Sequence, residues 1–82
     1  MSADTESTDL EAMMRFDPEE GIQDLCDHLQ QLSDAAEQRG FSFDRHAARN
    51  ELQAATFGRR TAATARLVLS PTGTMAIEVR GL

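Results

Sequence analysis

Residues 66–82 read RLVLSPTGTMAIEVRGL, and their pattern decides the fold class. On the first arm Ala65, Leu67 and Leu69 alternate with Arg66, Val68 and Ser70. On the second, Met75, Ile77 and Val79 alternate with Ala76, Glu78 and Arg80. A period of two is that of strands with one face on a core. Between the arms PTGT supplies the fixed φ of proline and the freedom of glycine that a tight reversal uses. The segment predicts a C-terminal β-hairpin.

A hairpin by itself is marginal in water, and each of its margins presents a row of unpaired backbone groups. No other stretch reads as a strand. The expectation is therefore that a partner protein, or a second copy pairing across a two-fold axis as a homodimer, completes the ribbon. Arg66, Val68, Ala76, Glu78 and Arg80 are the candidate contacts. The plainer alternative is a two-stranded sheet backed by helices, with Arg66, Glu78 and Arg80 guarding its edges.

Working upstream, FDPEEGIQDLCDHLQQLSDAAEQRG (16–40) reads as a helix with both ends marked. Asp17 suits the N-cap, Pro18 the first helical position, and Glu19 and Glu20 the positive end of the dipole. Ile22, Leu25, Cys26, Leu29, Leu32 and Ala36 recur at three- and four-residue steps as one apolar stripe. Gly40 then sits where a left-handed terminal residue is wanted, with Phe41 as the apolar contact after it. Capped by Ser42 or Asp44, RHAARNELQAATFG (45–58) carries a narrow face of Ala47, Ala48, Leu52 and Ala55. Such small side chains permit close approach, which predicts an antiparallel helical hairpin.

The expected architecture is α+β: an acidic, disordered tail over residues 1–12, then a single small domain over 13–82. That domain comprises an antiparallel helical hairpin and a two-stranded antiparallel β-hairpin. Met13, Met14 and Phe16, just ahead of the expected N-cap, form either an apolar staple on the first helix or an adaptable segment that docks on a partner.

Size and composition narrow the function classes. A chain of 82 residues has a thin core. Its one cysteine, Cys26, excludes an internal disulfide, and a buried apolar role is expected for it. No apolar run is long enough to span a membrane, and no signal peptide opens the chain, so a cytoplasmic protein is expected.

The net charge is −6, and its sign is segregated. Residues 1–44 hold twelve acidic side chains and two arginines, whereas residues 45–82 hold six arginines and two glutamates. There is no lysine. Either the halves attract each other within one fold, or Arg45, Arg49, Arg59 and Arg60 form a basic surface for nucleic acid, as in an antitoxin or transcriptional modulator. The overall negative charge opposes nonspecific attraction to phosphate.

No catalytic, cofactor or metal signature emerges. His28 follows Asp24 by four residues, a spacing that could orient an imidazole, but a solvated helix face with a modest i,i+4 attraction is the preferred reading. The serines lack a nucleophile elbow, and no glycine-rich phosphate loop is present. The expected function is that of a small, non-catalytic, bacterial or phage accessory or regulatory protein that acts by association, with nucleic-acid binding as the alternative.

Overall fold

A computed structural model of the chain describes residues 9–82. Two strands open it, β1 (Leu10–Asp17) and β2 (Gly21–Ile22). Two helices follow, α1 (Leu25–Arg39) and α2 (Arg45–Thr56), and then β3 (Ala63–Leu69) and β4 (Met75–Gly81). The strands form one antiparallel sheet in the order β2-β1-β3-β4. The C-terminal hairpin is as read, in continuous register from Ala63↔Gly81 to Leu69↔Met75. Its reversal is closed by the Ser70 N–H donating to Thr74 O at 2.9 Å.

The structure corrects the reading of the first third. LEAMMRFD is a strand, and β1 pairs with β3 at seven positions, from Leu10↔Leu69 to Phe16↔Ala63. One margin of the terminal hairpin is therefore filled by the chain itself. Leu10–Ala12, expected to be tail, are strand residues; residues 1–8 of that expected tail lie outside the described residues.

The helix start moves as well. The Asp17 carboxylate accepts from the backbone N–H groups of Glu19 and Glu20, both at 2.9 Å. The capping chemistry is present, but it closes a turn instead of opening a helix. Gly21 then takes φ 86°, a left-handed conformation that only glycine adopts cheaply, and the chain returns along β1 with Phe16↔Ile22. Helix α1 begins seven residues after the expected start, behind Asp24, which has φ 54° and no side-chain cap bond. Pairing over seven positions with β3 outweighs a local preference worth a fraction of that.

From Leu25 onward the expected helix face holds: Leu29, Leu32 and Ala36 are buried. Gly40 ends the helix at φ 74°, and the Phe41 N–H donates to Ala36 O at 2.8 Å, closing the terminus as predicted. Cys26, however, is exposed, on the rim of the stripe beside α2. In α2 the Asp44 carboxylate accepts from the Ala47 N–H at 3.0 Å. Its buried face is Ala48, Leu52 and Thr56, and Ala55 points to solvent. The Thr56 hydroxyl is satisfied by donating to Leu52 O at 2.9 Å.

The helices cover one face of the sheet, α1 packed against β1 and α2 against β4. Met14 from β1, Leu67 and Leu69 from β3, and Leu29, Leu32 and Leu52 from the helices meet in a single apolar layer. Phe41 and Phe43 flank it. Among the described residues no helix is long and apolar enough to cross a membrane.

Two measurements check this packing. Leu29 is 3% exposed, so Leu29→Ala is expected to cost about 2–5 kcal/mol in a denaturant titration. A chain shortened to begin at Met13 loses the Leu10–Ala12 segment of the ladder with β3 and the partial burial of Leu10. Its thermal midpoint is expected to fall by roughly 5–10 °C, whereas an unchanged melt would contradict the strand assignment.

Candidate functional site

Strand alternation sorts the expected contact residues onto two opposite faces. Met14 and Phe16 point toward the helices, 2% and 6% exposed. They are core, a correction to their reading as a staple or docking segment, because β1 has a period of two there and not a helical one. Met13 faces the other way and is 56% exposed. Register places it directly opposite Arg66, which lies opposite Glu78 on its other side. Val68, Ala76 and Arg80 share this outer face with Met13, Arg66 and Glu78, so six of the eight candidate contacts are brought together.

Arg66 organises the face. Its Nη2 donates to Glu11 Oε2 at 2.6 Å, and its Nη1 lies 3.6 Å from Glu78 Oε1. Glu78 in turn accepts from Arg80 Nη2 at 3.1 Å. The hydrogen bond from Arg66, and then its charge, hold the Glu11 carboxyl below the usual glutamate value; the same hydrogen bond raises Arg66 further. Met13, Thr64, Arg66, Glu78 and Arg80 line a shallow groove of about 300 Å³ between these side chains. The sequence pattern does not single out Glu11, because the segment that carries it reads as an acidic tail.

The four arginines of the nucleic-acid alternative are split between two places. Arg45 and Arg49 are one turn apart at the start of α2, on a groove shared with Leu25, Cys26, Leu29 and His46. Arg59 and Arg60 follow its end. Helical residues 50–56, about 10 Å of helix, and the loop after them separate Arg49 from Arg59 and Arg60. Arg59 lines a cleft of about 370 Å³ between the β1–β2 turn and the end of α2, with Phe57 at its rim, 89% exposed. The Arg59 Nε is buried and finds no acceptor among the described residues.

The Asp24–His28 spacing does not produce a carboxylate–imidazole pair. The His28 Nδ1–H donates to the Asp24 backbone carbonyl at 2.9 Å. No group of three or more histidine, cysteine or acidic side chains among the described residues could hold a metal ion.

No family model matches the chain, and no curated protein matches it. The fold does match a solved structure, from Mesorhizobium loti, under the provisional name of an amino-acid aminotransferase. The TM-score is 0.82 and the identity 29%, over 89% of this chain and 35% of that one. The chain thus spans about a third of the length of its structural relative.

The ion pair on the outer face has a pH signature. Because the folded pKa of Glu11 is depressed, its contribution to stability is present above the ordinary glutamate value and is lost as pH falls through the lowered one. In a carboxyl NMR titration Glu11 is expected to titrate below the ordinary glutamate value and to return toward it in Arg66→Gln. An unshifted Glu11 in the unsubstituted chain would contradict the pairing.

Proposed function

We propose that this chain acts by association: a non-catalytic accessory or regulatory module that docks on another protein or on a second copy of itself. The observation that carries the reading is the one-sided sheet. Helices cover its inner face, while the outer face is bare among the described residues. There Met13 is surrounded by Glu11, Arg66, Glu78 and Arg80, an apolar point within a polar rim, which is the anatomy of a small protein interface. The match to about a third of a longer chain supports a unit that operates as part of something larger.

The same match raises amino-group transfer, and the residues present decide how far that reading extends. Such transfer uses a carbonyl cofactor, pyridoxal phosphate, held as a Schiff base by a lysine amine. These 82 residues include eight arginines and no lysine. Guanidinium stays protonated and forms no such linkage. The residues do not fit the cofactor's covalent requirement, so any lysine would come from outside them. What this chain offers such an assembly is a packed layer and a surface.

Tagged chain is recovered from its own cells, and its complexes are mapped by cross-linking and mass spectrometry. Contacts are expected to concentrate on the outer sheet face or the β4 edge. A Met13→Asp substitution is expected to weaken an outer-face complex at least about tenfold, which is 1.4 kcal/mol, with the fold intact. Recovery of the chain alone at every concentration, or amino transfer between an amino acid and a 2-oxo acid by the purified chain, would overturn the proposal.

A further inference from the structure

The outer side of β4 pairs with no strand among the described residues. Its backbone groups can be sorted from the hairpin ladder. The Ser70 N–H donates to Thr74 O at one end, and the Leu82 N–H to Ala62 O at the other. Hydrogen bonds therefore join the even-numbered pairs, leaving the N–H and C=O groups of Met75, Ile77, Val79 and Gly81 directed away from β3. MAIEVRG has no proline, no lysine and, with its register unbroken, no bulge; its two charges, Glu78 and Arg80, guard the edge against a uniform strand but are of opposite sign, so a copy of the same strand can match them. The core-facing side chains of this edge are also incompletely covered. Ala65, Leu67 and Leu69 on β3 are 0% exposed, whereas Met75, Ile77 and Val79 are only half-buried.

We propose that β4 pairs with β4 of a second copy, antiparallel about a two-fold axis at Val79, joining two four-stranded sheets into one of eight strands. This rests on the association reading above and names its partner. Charge selects both the occupant and the register. With the axis at Val79, Glu78 faces Arg80 of the second copy and Arg80 faces its Glu78, two cross-strand pairs of opposite sign. An axis at Glu78 would oppose two glutamates. An axis at Ile77 would set Glu78 against Ala76 and Arg80 against Thr74, leaving both charges without a cross-strand counterpart. The edge is self-complementary at Val79, as a two-fold interface must be. The Arg66–Glu78–Arg80 network then continues from one outer face onto the other.

Sedimentation equilibrium of the full chain, from micromolar to millimolar concentration, is expected to show a reversible dimer. Val79→Pro removes an outward N–H that the β3–β4 ladder does not use. It is expected to abolish the dimer while leaving the far-ultraviolet circular dichroism in place. Should that variant unfold, the charges supply an independent test. Arg80→Glu alone and Glu78→Arg alone are each expected to be monomeric, and mixing the two is expected to restore a dimer containing one of each. An unsubstituted chain that stays monomeric throughout overturns the inference, as does a dimer that survives in both charge variants. A monomer that nonetheless holds a stoichiometric foreign partner retires self-pairing alone, whereas a monomer that holds nothing retires the association reading as well.

Discussion

The seven-position pairing of β1 with β3 is the constraint on which the rest of the structure depends. It places Ala63, Ala65, Leu67 and Leu69 in the interior of the sheet, each 0% exposed. It supplies Met14 to the core from a segment far away in sequence. It also fixes where α1 must start, because the chain leaves β1 through the Asp17 turn and the two residues of β2 before it can cross onto the sheet. Without that strand, the terminal hairpin would have one helix pair on one face and two open margins, a poor arrangement for so small a domain. With it, two central strands share the core and only the flanks remain exposed.

Which parts were legible follows from the kind of signal each carries. The β3–β4 hairpin, the closing of α1 at Gly40 and Phe41, and the Asp44 cap of α2 rest on contacts within a few residues, and sequence patterns report those directly. Strand β1 rests on a partner 47 to 59 positions away, from Phe16↔Ala63 to Leu10↔Leu69. Its alternation of Leu10, Ala12, Met14 and Phe16 with Glu11, Met13 and Arg15 was present in the sequence. It was obscured by Met13 beside Met14, two apolar neighbours that break a binary pattern, and by the acidic run before them. Asp17-Pro18 then imitated a helix start, since a carboxylate accepting two backbone N–H groups looks alike in a turn and in a cap. Cys26 was misplaced for a related reason: spacing defines a stripe but not how wide a strip the neighbouring helix covers.

The outer face shows the same division. Its β3 and β4 members were readable from the hairpin, and six candidate contacts do lie together there. Glu11 was not readable, because its position depends on the long-range ladder. Yet Glu11 makes the shortest ion pair on the face, to Arg66 at 2.6 Å.

That pair also changes how the segregated charge is understood. Acidic first half and arginine-rich second half do attract, but not helix to helix as the linear sequence suggests. Among the described residues the ion pairs lie on the outer sheet face, where Glu11 from the first half reaches Arg66 from the second. Arg45 and Arg49 stay exposed, along the groove between α1 and the start of α2. The outer sheet face sets Arg15, Arg66 and Arg80 against Glu11 and Glu78, a near balance that has little pull on a polyanion. It favours a partner whose own charges alternate, because each new ion pair then extends an existing network instead of desolvating a lone charge. The β4 edge, with Glu78 and Arg80 two residues apart, meets that condition with its own sequence reversed.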